Sequence, residues 1–290
     1  LFRSDVSPDC PPEYLFCLLP GGDRRSGWMD ILLPDERSRL AVLLDHSDES
    51  CSEASARRPR DDLMEDGWLR AGFGDWSGLW HAAPEGWSPM PGHGHQDCGG
   101  FELHFEREVV FIDPGRGSYA LAGEAEETVT ARVHNGLSVD GLDPYPANKP
   151  YYAPSFRRKV AGEPPRLERD ADGVRLSFDG FCRLGTVGRV ERHWHFEGRR
   201  LILTDRVEGR GAHAVTRRLH TTGQVEVLAE GVRLTMPGGR RFTVTAPGAA
   251  ISVLPVESWI AYGESRPARR VELTLTAGLP WSGRITVEAG

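Results

Sequence analysis

Residues 91–119, PGHGHQDCGGFELHFEREVVFIDPGRGSY, decide the fold, and residues 131–144, ARVHNGLSVDGLDP, complete them. Within the first segment, Phe101–Phe105 alternates apolar and polar side chains, and Val109–Ile112 is entirely apolar. Alternation is typical of a half-buried strand, and a short apolar run is typical of a fully buried one. The segment therefore predicts two neighbouring strands with Asp113 at the end of the second. In residues 131–144, His134 opens a further predicted strand, HNGLSVDG.

Three histidines and one aspartate in these segments carry candidate chemistry. His93 and His95 are separated by one residue, so both point to the same side if this piece of chain is extended. Asp113 follows His95 by 18 residues, and His134 follows Asp113 by 21. Two or three imidazoles and one carboxylate form a plausible zinc ligand set. We therefore expect a metal site on adjacent strands, with a position left for water or substrate.

We interpret the other polar residues near this group, and the remaining histidines, as having more ordinary roles. Asp97 and Asn135 lie where a side chain could orient an imidazole by a hydrogen bond. Cys98 is interpreted as a small buried residue and not as a ligand. His193 and His195 repeat the spacing but fall in the middle of a predicted hairpin strand. The histidines that we assign to ordinary surface or core roles are His46, His81, His104, His193, His195, His213 and His220.

Length and composition limit the class of protein. The chain has 290 residues, of which 39% are hydrophobic and 27% charged, enough for one large or two ordinary domains. A net charge of −7 argues against a nucleic-acid partner, although clustered arginines can still bind an anionic substrate. No apolar run approaches the ~20 residues of a membrane span. The 5 cysteines are odd in number and lack a Cys-x-x-Cys pair, so they indicate neither a disulfide framework nor a cysteine zinc site.

The N-terminal part differs from the rest in its amino-acid composition. Residues 1–66 read as a short irregular segment with a polar loop at 47–62, without an initiator Met or a signal layout, as expected of a processed or excerpted chain. From Gly67 onward tryptophans occur among glycines. Trp76 is a candidate for stacking on a sugar ring, with core packing as the alternative role.

The remainder of the chain predicts an antiparallel β-sandwich. A clear hairpin joins Val190–Phe196 to Leu201–Val207 through a Glu-Gly turn. Further short runs, among them 214–220, 271–276 and 284–288, recur every 8–12 residues with Gly or Pro between them, as in all-β sandwiches. The sequence carries no Rossmann glycine pattern, phosphate loop or Gly-x-Ser-x-Gly elbow. We expect one all-β domain over residues 67–290.

Four motifs in order resemble a known family: GHGHQD, FELHFEREVVFIDPGRGSY, ARVHNGLSVDG and RVERHWHFEGRRLILTDRVEG. They look like the C-terminal part of the heparinase II/III-like polysaccharide lyases, a superfamily that includes oligoalginate lyases. The resemblance runs from about Gly67 to the C-terminus and implies a β-sandwich. It also implies Zn²⁺ held by His95, Asp113 and His134, with His93 facing the substrate cleft.

The resemblance further implies β-elimination at a uronic acid, in an acidic polysaccharide or oligosaccharide. The reaction must neutralise the C5 carboxylate, remove the C5 proton and protonate the leaving oxygen. His93 and Tyr119 are the catalytic candidates. Arg116 and Arg132 are candidates for opposing the carboxylate, with surface salt bridges as the alternative. A periplasmic or secreted location is what the family favours.

Lyases of this kind begin with a long helical (α/α) toroid, and nothing in residues 1–66 predicts one. We therefore expect the sandwich part of a lyase, for which the toroid would be a partner. A non-catalytic carbohydrate-binding or structural module that retains the metal site is the first alternative. A zinc hydrolase is the second, with Asp97 as the only nearby candidate for its general base.

Overall fold

The computed structural model describes residues 66–87, 94–117, 127–147, 152–261 and 263–290, together with Met64 and Lys149. The predicted N-terminal segment, 1–66, lies outside this part except for Met64 and Asp66. No helix among the described residues is long and apolar enough to cross a membrane.

The smaller of two antiparallel sheets contains the two strands predicted before Asp113. Its four strands are hydrogen-bonded in chain order. They are β1 (Trp68–Phe73), β2 (Trp76–His81), β3 (Gly100–Phe105) and β4 (Glu108–Phe111).

The larger sheet has ten strands among the described residues. They are β5 (Leu137–Val139), β6 (Arg166–Arg169), β7 (Gly173–Phe178), β8 (Val187–Glu197), β9 (Arg200–Thr221), β10 (Gln224–Leu228), β11 (Gly231–Thr235), β12 (Arg241–Thr245), β13 (Ala250–Ala261) and β14 (Glu264–Ala289). Their order is β10-β11-β12-β14-β9-β8-β7-β6, with β13 paired to β14 and β5 to β9. One helix, α1 (Pro154–Ala161), was not predicted.

Two strands are much longer than the sequence pattern indicated. The runs 201–207 and 214–220 were predicted as separate strands but belong to β9, which has 22 residues. Likewise 271–276 and 284–288 both belong to β14, which has 26 residues. Glycines 209, 211 and 278 interrupt the apolar alternation, yet the two strands remain paired on both sides of them, with a register shift between Leu279 and Trp281. Pairing with a long neighbour has overridden the local break signal.

An aromatic layer between the two sheets forms the core. Trp80 of the small sheet meets Trp194 of the large sheet edge to face, with ring centroids 6.2 Å apart. Trp76 lies 6.2 Å from Phe242 across the same interface and is 1% exposed. The predicted β-sandwich is confirmed. The assignment of Trp76 to substrate stacking is wrong, because its ring has no surface on which a sugar could lie.

Three charged side chains are buried beside this aromatic layer. The alternation of β8 turns Arg192 inward along with Val190 and Trp194, and Arg192 is 1% exposed. Its Nε donates to Asp205 Oδ1 at 2.8 Å, and Asp205 is fully buried. Arg217, also 1% exposed, places Nη1 4.0 Å from the other oxygen of Asp205. One carboxylate therefore faces two buried guanidinium groups.

Replacing Asp205 with Ala should destabilise the fold strongly, because it leaves both buried cations without a counter-charge. We expect a loss of about 3–5 kcal/mol in the free energy of unfolding, measured by urea denaturation with tryptophan fluorescence. Glu288→Ala is the matched control, since it removes an exposed partner of Arg200, and it should cost no more than about 1 kcal/mol. Equal losses in the two variants would contradict this account.

Candidate functional site

Three segments of chain bring the predicted ligand residues together. His95 lies between β2 and β3, Asp113 lies two residues after β4, and His134 lies shortly before β5. His134 Nδ1 and Asp113 Oδ2 are 2.8 Å apart and hydrogen-bonded. The ring centroids of His95 and His134 are 5.2 Å apart. Residues that are remote in sequence are therefore neighbours in the structure, and they lie in loops and turns between strands, not on the strands themselves.

The orientation of Asp113 follows from the turn that it begins. Its carboxylate Oδ1 accepts a hydrogen bond from the backbone N–H of Gly115 at 3.1 Å. Gly115 has φ +72°, a left-handed conformation that glycine adopts without a steric penalty. The backbone N–H of Asp113 donates to Glu102 Oε1 at 3.1 Å. With Oδ1 engaged in the turn, Oδ2 is directed at His134.

The local structure at His134 differs from the prediction. The sequence pattern placed this residue at the start of a strand, but it caps a 3₁₀ turn formed by Ala131–Val133. The backbone N–H of Gly136 donates to the carbonyl of His134 at 2.8 Å, so the chain turns again before β5 begins at Leu137. The two turns carry the His134 side chain inward, where it is 1% exposed.

Asp113, which is half-buried, and His134, which is buried, form a pair whose charges stabilise each other. Burial by itself lowers the pKa of His134, but the charge and hydrogen bond of Asp113 outweigh it and raise this pKa to about 9. Burial likewise opposes ionisation of Asp113, yet the charge and hydrogen bond of His134 hold the pKa of the carboxyl below its usual value. Without a metal, the pair is therefore an imidazolium and a carboxylate at neutral pH.

The side chains at this site are of types that bind a metal ion, but they are not arranged to hold one. The Nε2 atom of His134 is buried and makes no hydrogen bond within the described part of the chain. Imidazole nitrogen and carboxylate oxygen are zinc ligands. Across the residues that the structure describes, however, no group of three or more His, Cys, Asp or Glu side chains is arranged to hold a metal ion. The geometry thus supplies the Asp113–His134 pair with His95 close by.

Asp97 contacts a histidine that the sequence analysis assigned to an ordinary role. Its Oδ2 lies 2.9 Å from His81 Nδ1. Burial opposes its ionisation, but the charge of His81, followed by those of His134 and His95, lowers the pKa of Asp97 well below its usual range. The group of His81, His95, Asp97, Asp113 and His134, called the cluster below, therefore contains a second carboxylate. A signal for His81 existed, because β2 pairs with β3 so that His81 lies opposite Gly100, three residues beyond Asp97.

Asn135 makes a set of buried contacts through its side-chain amide. Nδ2 donates to the carbonyls of Phe101 and Ile112 at 2.7 and 2.8 Å. Oδ1 accepts from the backbone N–H of His220 at 2.7 Å and lies 3.1 Å from the ring Nδ1 of the same residue. Asn135 was predicted to orient an imidazole, and the imidazole that it contacts is His220.

Arg192 joins the buried charges of the core to the candidate site. Its Nη1 donates to the carbonyls of Gly99 and Asn135 at 3.1 and 3.3 Å. Gly99 belongs to the segment that carries His95, and Asn135 follows His134. The alternation of β8, which puts position 192 on the apolar side, was the signal that could have identified this residue.

The two arginines proposed for substrate binding lie beside the cluster. Arg116 is half-buried in the loop that follows Asp113. Arg132 belongs to the 3₁₀ turn before His134, and its Nη1 lies 3.8 Å from Glu127 Oε1, with 57% of its side chain exposed. Such a long, exposed ion pair contributes little to stability. Arg132 thus has the contact named as its alternative and remains accessible to an anion.

The candidate catalytic residues His93 and Tyr119 lie outside the described residues. Tyr145, a further tyrosine downstream of Asp113, is 2% exposed and packs against Trp87 with ring centroids 5.3 Å apart. Its position is that of a core residue.

The hairpin of β13 and β14 also contacts this region, and no pattern in the sequence predicts that contact. The backbone N–H of Trp259 donates to the carbonyl of Pro114 at 2.7 Å. The indole ring covers Gly117 so closely that a Cβ at that position would collide with it. The loop after Asp113 is thus supported by residues about 145 positions further along the chain.

A separate polar depression of about 800 Å³ lies on β6, β7, β8 and β9. It contains His193 and His195, whose ring centroids are 5.7 Å apart. His195 Nε2 is 3.0 Å from Glu197 Oε1, and His193 Nε2 is 3.4 Å from Asp170 Oδ2. Both histidines lie mid-strand, as predicted.

Solved structures with the same fold include a heparinase III gene product, with a TM-score of 0.58 and 18% sequence identity. The match covers 78% of this chain and 35% of that one. A heparan sulfate lyase, HepC from Pedobacter heparinus, matches with a TM-score of 0.60 and 14% identity, over 78% of this chain and 36% of its own. The chain thus spans about a third of the length of these structures. At such identities the likeness establishes the fold.

Family membership rests on a separate comparison. No curated protein matches the chain. Residues 56–283, most of the chain, match the family model described as heparinase II/III-like, C-terminal, and this protein therefore belongs to that family.

Proposed function

We propose that this chain is the β-sandwich part of a polysaccharide lyase that cleaves a uronic-acid-containing polysaccharide by β-elimination. The observation that carries the proposal is the hydrogen-bonded Asp113–His134 pair with His95 beside it, in a chain that belongs to the heparinase II/III-like family. The solved structures named as heparinase III and heparan sulfate lyase favour an acidic polysaccharide as the substrate.

Elimination requires that the negative charge of the C5 carboxylate be offset before the C5 proton is removed. Arg116 and Arg132 lie on the two segments that carry Asp113 and His134, so a uronate bound there would meet cationic side chains. Proton transfer then requires an imidazole or phenol within hydrogen-bond reach. His93, two residues before His95, and Tyr119 are the proposed groups for this step.

We also propose Zn²⁺ as the cofactor, with His95, Asp113 and His134 as its ligands. Bound zinc would supply a fixed positive charge that cross-links the three segments, and elimination consumes no water that it would need to activate. The supporting observations are the ligand types and the closeness of the three residues.

Purified protein dialysed against zinc should retain about one equivalent per chain, measured by elemental analysis. Replacing His95 with Gln, Asp113 with Asn or His134 with Gln should weaken zinc binding by more than about 100-fold, because the loss of a residue that merely orients a ligand already costs about 10–100-fold. His195→Gln is the control, since it removes one imidazole of the separate His193–His195 pair. Retention of zinc by all three site variants, or its loss in the control, would refute the assignment.

The complete product of the gene should release unsaturated uronate products from a uronic-acid polysaccharide, detected by their ultraviolet absorbance. His93→Ala should lower kcat by about 10²–10⁴-fold if its imidazole transfers a proton. His213→Ala is the matched control, because His213 pairs with Asp140 outside the cluster. A protein that binds the polysaccharide and zinc but forms no unsaturated product would instead be a carbohydrate-binding module.

A further inference from the structure

We propose that Asn135 is a positioning residue that holds Asp113 and His134 against each other before any cation or substrate binds. This inference deepens the proposed metal site, but its basis is the hydrogen bonding of the metal-free protein. It assigns a role to a buried amide that touches neither a proposed zinc ligand's side chain nor the substrate.

The amide of Asn135 uses all of its hydrogen-bonding capacity. Its two N–H groups serve the carbonyls of Phe101 and Ile112, and its oxygen accepts both the backbone N–H and the ring Nδ1–H of His220. Carbonyl oxygens only accept and the backbone N–H only donates, so the orientation of the amide is fixed. Because an amide oxygen cannot donate, the proton of neutral His220 must reside on Nδ1.

These hydrogen bonds involve the residues immediately next to Asp113 and His134, two of the proposed zinc ligands. The carbonyl of Ile112 belongs to the peptide that leads into Asp113, and Asn135 itself follows His134. The bond of 2.8 Å between Asn135 Nδ2 and that carbonyl therefore sets the separation of the two backbones. Their side chains then meet at the 2.8 Å contact between His134 Nδ1 and Asp113 Oδ2.

Strand β9 provides the fixed end of this arrangement. His220 is fully buried, and its carbonyl accepts from the backbone N–H of Ile112 at 3.0 Å. Burial keeps the pKa of His220 low, at about 3, so its ring is neutral. Asn135 is also fully buried, so water does not replace its hydrogen bonds when one is broken. The amide thus connects Asp113 and His134 to the central strand of the large sheet.

Arg192 extends the same arrangement to the segment of His95. Its Nη1 contacts the carbonyls of both Asn135 and Gly99, while its Nε is held by Asp205. A buried amide and a buried guanidinium thereby join all three segments of the proposed site without using any of the proposed ligands.

The test follows the ring Nδ1–H proton of His134 by NMR in protein stripped of metal, with His134→Gln identifying the signal. The wild-type proton should exchange slowly, since it is donated to Asp113 in a buried contact. Asn135→Asp preserves size but turns two donors into acceptors that repel the carbonyls of Phe101 and Ile112. This variant should exchange the proton at least about tenfold faster, because local opening becomes more populated. An unchanged exchange rate would overturn the positioning role.

Asn135→Ser provides the same test without burying a new charge, and the same acceleration is expected if Asn135→Asp does not fold. Val232→Ala is the control for general destabilisation, because Val232 is fully buried in β11, three positions from β9 in the sheet. Exchange is compared at temperatures equally far below each variant's Tm. Equal acceleration in Val232→Ala would overturn the proposal, since the effect would then be one of stability alone.

Zinc titration of the same variants separates this inference from the proposed cofactor. Asn135→Ser should bind zinc about 10–100-fold more weakly than wild type, while Val232→Ala should bind it normally. A wild-type protein that binds no zinc would refute the cofactor, yet the ring proton of His134 would still decide the positioning role. If Asn135→Ser binds zinc with wild-type affinity, the positioning role is refuted and the proposed zinc site is not.

Discussion

The side-chain amide of Asn135 is the constraint on which the site depends. It lies where three pieces of chain meet: the start of β3, the end of β4 and the end of β9. Each of its polar atoms is satisfied, and none is exposed to water. A fully satisfied polar network of this kind specifies one arrangement, because any shift leaves a buried group without a partner. The loops carrying His95, Asp113 and His134 therefore need no regular structure of their own.

The core and the site are connected through β8 and β9. Trp194 and Arg192 are two residues apart on β8, and the first packs between the sheets while the second reaches the backbone beside the site. Asp205, which balances Arg192, and His220, which meets Asn135, belong to the same strand β9. A change in the packing of the two sheets would therefore alter the geometry of the Asp113–His134 pair.

Much of the fold could be predicted from sequence, because alternation along a strand is a local property. The hairpin around Glu197 and the end of β4 at Asp113 follow from such patterns. The length of β9 and β14 could not be predicted, since it depends on pairing between distant strands. At the site, residue type and motif order indicated His95, Asp113 and His134. The contacts of Asp97 with His81 and of Trp259 with the loop after Asp113 depend on tertiary packing, for which the sequence carried at most a weak signal.

The main path of the large sheet ends at β6 and β10, and these two strands differ in their protection against intermolecular pairing. β6 exposes Arg166, Glu168 and Arg169, and charged side chains oppose the addition of a strand from another molecule. β10 has one charged residue, Glu226, and exposes Val227, which is 56% accessible. Self-association through backbone hydrogen bonds is thus opposed more strongly at β6 than at β10.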